Sequence, residues 1–299
     1  MEKDAAGCRA LNRNYIVGGY YIMEIKTVWS VYFSATGTTE KVVTTLAKTV
    51  AQELGAQYQT FSFNLPKSRE DELTFGPDDL VVMGVPVYAG RVPNLLLPYV
   101  RDKVKAQGAL AIPVVLYGNR NFDDGLMELK NVMRDNGFMP VAAGAFVGEH
   151  SFSTILGAGR PDADDMALLD ELAHKAAEKV KGLTQAPTQA VEVEGCDPIR
   201  PYYTPRDRHG EPIKDFLKAK PKTDPDKCVK CGLCARLCPM GSIDPNDVSN
   251  VVGKCIKCCA CVKKCPTGAK YFDHEGYLYH QHELEDQYAG RRAPSKIFL

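Results

Sequence analysis

Ile25-Lys-Thr-Val-Trp-Ser-Val-Tyr-Phe33 runs into Ser34-Ala-Thr-Gly-Thr-Thr-Glu-Lys41, and from Thr38 to Leu54 apolar residues return at Val42, Val43, Leu46, Val50 and Leu54. The first piece is apolar and β-branched, as a strand requires; the last has the spacing of one helix face. Between them lies a short turn of hydroxyls and one glycine. A turn that ends a strand and opens a helix aims free backbone N–H groups at one point, where they and the hydroxyls favour an anion. The turn lacks a Gly-Lys-Ser/Thr ending, which argues against a nucleoside-triphosphate loop, and no G-x-G-x-x-G follows a strand, so no nicotinamide-binding turn is evident.

The same alternation continues outward. Tyr58–Phe63 reads as a short strand, Leu80–Val87 and Leu110–Tyr117 as strands buried on both faces, and Phe138–Val147 as a last strand. Helices are expected over Pro93–Lys105, with Pro93 in the first turn, over Asp123–Asn136, stopped by Gly137, and over Pro161–Lys181, acidic at its start and basic at its end. Five strands alternating with helices predict a doubly wound parallel sheet with right-handed crossovers.

Other segments differ in character. Residues 1–22 do not share this alternation and are expected to be a disordered extension, with Met23 as an alternative start. Residues 184–222 are proline-rich and predict a linker with little regular structure, able to pack on both flanking domains through Ile199, Tyr202, Tyr203, Ile213, Phe216 and Leu217. No role is legible for the aromatic tail, 274–299. Lys plus Arg and Asp plus Glu each number 37, so a dominant nucleic-acid footprint is not expected. No apolar run has the length of a membrane span, and Met1–Ile22 lacks the apolar stretch of a secretory signal, so a cytoplasmic protein is expected.

Nine of the eleven cysteines crowd between Cys228 and Cys265, within a domain expected over 223–273. They form two runs: Cys228, Cys231, Cys234 and Cys238 before Pro239, and Cys255, Cys258, Cys261 and Cys265 before Pro266. Three closely spaced thiolates wrap one corner of a four-iron cube, and the fourth comes from the other run when two clusters share one domain. The expected sets are therefore Cys228, Cys231, Cys234 and Cys265 on one [4Fe–4S] cluster, and Cys255, Cys258, Cys261 and Cys238 on the other. Paired zinc sites fit poorly, because zinc favours two separated Cys-x-x-Cys pairs per ion. Cys259 breaks the spacing and reads as a buried neighbour; Cys8 and Cys196 read as ordinary thiols. Between Lys222 and Asp273 nine Lys or Arg face five Asp, a formal +4 that offsets the negative charge of thiolate-bound clusters; a docking face for an acidic partner is the rival reading.

Ser34-x-Thr36-Gly37-x-Thr39 resembles the FMN phosphate loop of flavodoxins, and the whole of 23–272 is similar to ferredoxins that carry an N-terminal flavodoxin-like domain. The resemblance implies a flavodoxin-like sheet of strand order 2-1-3-4-5 over 23–183, joined to a small α+β domain with two clusters of the bacterial ferredoxin type. It implies FMN at the carboxyl ends of the strands, held by Ser34, Thr36, Gly37, Thr38 and Thr39 at the phosphate. Pro86, Val87, Tyr88, Ala89 and Gly90 from one loop, and Gly118, Asn119, Arg120 and Phe122 from the next, flank the ring. Tyr88 is the first choice to stack on the ring and Phe122 the second. Gly148–Phe152 closes the site, with His150 either a proton donor or a structural residue. The domain 23–183, with 16 basic and 20 acidic residues, is less acidic than is typical of flavodoxins, which argues against a freely diffusing acidic shuttle.

The leading reading is an electron-transfer protein that relays single electrons between the clusters, an FMN and a redox protein partner, with no catalytic residue required. The alternative is a reductase acting on a small oxidised molecule over the flavin, with Arg91, Arg120 or His150 lining a lidded pocket. A third is an assembly module without flavin.

Overall fold

The computed structural model describes residues 15–17, 20–185 and 187–299. In chain order the elements are β1 (Tyr15–Val17), β2 (Tyr20–Ile22), β3 (Thr27–Tyr32), α1 (Thr38–Leu54), β4 (Gln57–Ser62), β5 (Leu73–Phe75), β6 (Asp79–Pro86), α2 (Leu97–Lys103), β7 (Val104–Ala106), β8 (Leu110–Tyr117), α3 (Gly125–Asp135), β9 (Met139–Pro140), β10 (Ala143–Val147) and α4 (Ala163–Lys181). The cysteine-rich part and the tail add β11 (Lys222–Thr223), α5 (Leu233–Arg236), α6 (Ala260–Lys263), β12 (Lys270–Tyr271), α7 (Glu275–Tyr288) and β13 (Lys296–Phe298). Of residues 1–22 the structure describes only the hairpin of β1 and β2; the rest of that expected disorder lies outside the described residues.

The central sheet runs β4-β3-β6-β8-β10, all parallel, which is the order 2-1-3-4-5 of a flavodoxin-like fold. Its strands are buried on both sides. α1 and α4 cover one face over Val28, Leu80, Ile112 and Phe146, and α2 and α3 cover the other over Val31, Met83, Val115 and Val147. α1 comes close to the sheet only because residue 84 is glycine: a Cβ there would lie 2.1 Å from a methyl of Val43. α4 starts with a capping box in which Asp162 accepts the Asp165 backbone N–H and Asp165 accepts that of Asp162.

Two expectations need correction. The helix expected over 93–105 covers only Leu97–Lys103. Pro98 has no N–H and its ring would collide with the carbonyl of residue 94, so a helix begun at Pro93 would break, and the chain places Pro98 in the first turn instead. The chain then enters β7, which pairs with β5 in a small parallel sheet not legible in the sequence. The last strand is split at residues 141–142 into β9 and β10, both paired with β8; Pro140 has no N–H for a continuous ladder.

The tail has a structural place. β13 adds to β10 as an antiparallel edge strand, with Ala143 opposite Phe298, and so covers what would be an open parallel edge. The described part of the segment 184–222 is mostly irregular, with one 3₁₀ turn at Phe216–Lys218, a bridge between Arg206 and Pro212 and the first residue of β11 at its end, but it is pinned. Buried Asp124 accepts the backbone N–H groups of Cys196 and Arg200 and two guanidinium N–H groups of Arg200. These bonds hold the Asp124 carboxyl well below the usual range.

Candidate functional site

The turn after β3 is built to receive an anion. Gly37 stands at the N-cap of α1 in the left-handed region, φ +108°, and has no side chain to cap the helix. The Ser34 N–H goes to Asn64 Oδ1, and Ser34 Oγ accepts the Glu40 N–H. The backbone N–H groups of residues 35 to 39 have no partner among the described residues. Successive unpaired N–H groups at a helix start, beside the hydroxyls of Thr36, Thr38 and Thr39, fit a phosphate.

The loop after β6 turns tightly, Tyr88 and Arg91 exchanging backbone bonds of 2.9 and 3.2 Å. Ala89 and Gly90 both have positive φ, and a Cβ at Gly90 would lie 2.7 Å from the Asp123 carboxylate. Val87 N–H donates to Leu116 O, tying Pro86–Val87 to the end of β8. Tyr88 keeps some accessible surface but is ringed by protein. Burial, with the acidic groups of Cys258, Cys259 and Cys255 adding to it, drives its phenol well above the usual tyrosine range. Val87 of this loop and Ile256 of the second cysteine run pack against the same core.

The loop after β8 differs from the expected ring contact. Phe122 is 4% exposed and packs on Tyr117 at 5.6 Å, so its ring belongs to the core. Asn119 is also buried: its amide nitrogen donates to Tyr288 O and Arg291 O, and its Oδ1 accepts the Ala293 N–H. Both side chains are thereby taken out of the set that can face a flavin ring. Arg120 pairs with Asp123 and stacks over Tyr203. Arg91 pairs with buried Glu128 and stacks over Tyr202 at 4.2 Å. Neither arginine is free to greet a small anionic substrate. Gly118 backs onto His150, where a Cβ would lie 2.2 Å from the ring.

The eight motif cysteines fall into two cavities. One is lined by Cys228, Cys231, Cys234 and Cys265; the other by Cys238, Cys255, Cys258, Cys261 and, beside them, Cys259. Each cavity thus draws three thiols from one run and one from the other. Among the described residues no three Cys, His, Asp or Glu side chains converge as ligands of a single ion. The two runs also repeat in backbone shape. Lys230 and Lys257 have φ +53° and +57°, and Gly232 and Cys259 have φ +70° and +57°. Ser242 N–H donates to Cys238 Sγ and Ala269 N–H to Cys265 Sγ, each at 3.3 Å. Backbone donors of this kind steady a cluster thiolate. Cys259 therefore occupies the glycine position of the second run, and its Sγ lies 3.3 Å from the Tyr277 hydroxyl.

The two cavities differ in exposure. Cys258 is 7% exposed, and burial, with help from neighbouring cysteines, pushes the Cys258 and Cys261 thiols up to about 12. Cys231 is exposed, and Val229 beside it is 65% exposed. Burial also raises Cys265, but N–H groups at Thr267, Lys270 and Ala269 and the Thr267 hydroxyl outweigh it, for a net lowering.

The cysteine-rich part sits on the carboxyl end of the sheet. Arg69, after β4, donates to Pro239 O; Ile256 packs with the residues under α2 and α3; Lys263 donates to Glu149, to His150 O at 2.7 Å and to Ser153 O at 3.1 Å after β10. An aromatic cluster of Phe152, Phe216, Tyr277 and His280 fills the gap beside it. Tyr277 helps to form the site without any sequence motif to mark it. The density of aromatics in the tail is the available signal.

A 4Fe-4S binding domain family matches residues 221–244, so the chain carries at least one iron–sulfur cluster domain, over the first cysteine run. No curated protein matches the chain. Among solved structures, a flavodoxin from the domain Archaea is similar at 16% identity over 52% of this chain and 99% of that one, with a TM-score of 0.38. A flavodoxin from Megasphaera elsdenii is similar at 19% identity over 50% and 98%, TM-score 0.32. An NADH:FMN oxidoreductase is similar at 16% identity over 53% and 91%, TM-score 0.39. Among the described residues no helix is long and apolar enough to cross a membrane.

Proposed function

We propose that this chain is a cytoplasmic electron-transfer protein in which 23–183 binds FMN and 223–273 binds two [4Fe–4S] clusters, relaying single electrons between them and a redox protein partner. Such clusters exchange one electron at a time, and a flavin accommodates one or two. Ser34, Thr36, Gly37, Thr38 and Thr39 hold the phosphate, while Pro86–Gly90, Gly118 and Arg120 flank the ring. Cys228, Cys231, Cys234 and Cys265 hold the outer cluster; Cys238, Cys255, Cys258 and Cys261 hold the inner one. The observation that carries this reading is the seating of the second cysteine run on the carboxyl end of the sheet, with Ile256 packed on the sheet core and Lys263 bound to His150 O at 2.7 Å. It supports an order in which the inner cluster faces the flavin and the outer one, beside exposed Cys231 and Val229, faces the partner.

The protein's own residues dock the cysteine part, exclude water around the inner thiols and fix the loops. A reductase of small molecules is less favoured, because Arg91 and Arg120 are already paired. The test is anaerobic purification with iron, sulfide and FMN quantitation. About eight irons and one FMN per chain are expected from the ligation rule; iron without flavin would leave the assembly-module reading standing.

A further inference from the structure

His150 follows β10, the fifth parallel strand of the sheet. Its Nδ1 accepts the Phe152 N–H at 3.1 Å, so the proton of the neutral ring is on Nε2. That Nε2 has no hydrogen-bond partner among the described residues, and it is not sealed in the core. The residue is held at three points. Gly118 leaves no room beyond it, Phe152 lies edge-on at 5.1 Å, and the carbonyl of His150 itself is gripped by Lys263. Burial, with Lys263, His280 and Arg120 as positive neighbours, lowers its pKa to about 3. At cytoplasmic pH the imidazole is therefore neutral, in one tautomer and one orientation. It can donate a hydrogen bond from Nε2 but has no proton to release as an acid. Gly118 belongs to the loop proposed to flank the flavin, and the imidazole lies directly against it.

We propose that His150 Nε2–H is a fixed hydrogen-bond donor to the isoalloxazine of FMN, a contact from the fifth-strand loop that raises the flavin's affinity for electrons. The inference rests on the FMN reading above. Reduction adds electron density to the ring, so a preorganised donor favours the reduced form over the oxidised one. His150 is a positioning residue for redox poise and takes no part in proton transfer.

The test uses full-length, anaerobically prepared protein loaded with FMN. The flavin midpoint potential is measured by spectroelectrochemistry, FMN affinity by fluorescence quenching and iron by direct analysis. His150→Leu is expected to disfavour the reduced flavin about tenfold, a fall of about 30 mV for a two-electron couple, with iron unchanged. His150→Gln, which keeps a donor, should recover at least half of that fall. The difference between wild type and His150→Leu should be the same at pH 6 and pH 8, since the donor does not titrate there. Should His150→Leu misfold, Gly118→Ala, whose methyl displaces the imidazole, must lower the potential in the same direction. Equal shifts in the Leu and Gln variants, or none in either, overturn the role of His150 while leaving FMN binding intact. Failure of the wild type to bind FMN overturns the flavin reading as well.

Discussion

Lys263, between Cys261 and Cys265 in the chain, donates its ammonium to the backbone carbonyl of His150 at 2.7 Å. One side chain thus joins the segment that supplies a thiol to each cavity to the loop that closes the carboxyl end of the sheet. The same ammonium reaches Glu149 and the carbonyl of Ser153, and its side chain is mostly buried. Three acceptors on one charge give the docking a fixed register.

Replacing Lys263 with Met keeps the apolar stem and removes the charge. The expected loss of stability is about 1.5–3 kcal/mol, the range for a hydrogen bond to a charged group. Chemical denaturation measures it. Iron content should hold, because Lys263 is not a proposed ligand, whereas electron exchange between the domains should slow. Unchanged stability and unchanged exchange would mean that this contact does not set the docking.

The crossed ligand sets make a prediction about pairs of variants. Cys265→Ala should damage the cluster of the first run, so adding Cys228→Ala should cost no further iron. Adding Cys255→Ala to Cys265→Ala should remove the second cluster too. This non-additive pattern is the mark of residues that share one partner. Iron and sulfide analysis with electron paramagnetic resonance reads it; a pattern that follows sequence order would argue for uncrossed clusters.

Asn119 ties the loop after β8 to the tail through three hydrogen bonds. Asn119→Ala leaves the buried Ala293 N–H without its acceptor and should cost about 1–3 kcal/mol. Asn119→Asp is nearly isosteric but sets a carboxylate oxygen against the carbonyls of Tyr288 and Arg291, so it should be at least as damaging. Equilibrium unfolding in urea distinguishes these outcomes. A fully stable Asp variant would show that the loop does not depend on the amide.

Two histidines, His280 buried and His150 partly buried, predict the acid limb of stability. Burial and a nearby Arg120 hold His280 at about 4, and burial with Lys263, His280 and Arg120 holds His150 at about 3. In the unfolded chain both take up protons below about 6.5, so the unfolded state binds more protons there and stability falls as pH drops. Each contributes at most about 1.4 kcal/mol per pH unit between about 6.5 and its folded value. His280 Nδ1 is buried without a partner among the described residues, so His280→Phe should be tolerated at pH 7 and should flatten the limb between pH 6 and 4. Thermal unfolding at a series of pH values gives the slope; an unaltered limb in that variant would contradict the assignment.

Most of the sheet is legible in the sequence because its signals are local. The periodicity of Val42, Val43, Leu46, Val50 and Leu54 gives α1 its observed limits, Thr38–Leu54, and the unbroken apolar run Leu110–Tyr117 is β8 in full. The cysteine spacing likewise carries its chemistry in its own beat. The features that escape a reading of the sequence depend on partners distant in the chain. β13 is a three-residue strand whose identity comes only from the edge of β10, and α7 is defined by an aromatic cluster contributed from four segments. Pro98 overrides a plausible helix start at Pro93. The burial of Asn119 and Phe122 is not foreseeable, because the tail that covers the one and the core that holds the other are assembled by the fold. Cys259 is legible as a buried neighbour, but its place at the left-handed position that Gly232 takes in the first run becomes visible only in the backbone angles.

Electron exchange between flavin and clusters within one chain is open to a decisive test. A flash injects a limiting dose of electrons into the anaerobic, fully loaded protein while flavin and cluster absorbances are followed separately. Exchange within the chain predicts redistribution between the two signals at a rate independent of protein concentration, slowed in Lys263→Met. A rate proportional to concentration, or no redistribution at all, would contradict it.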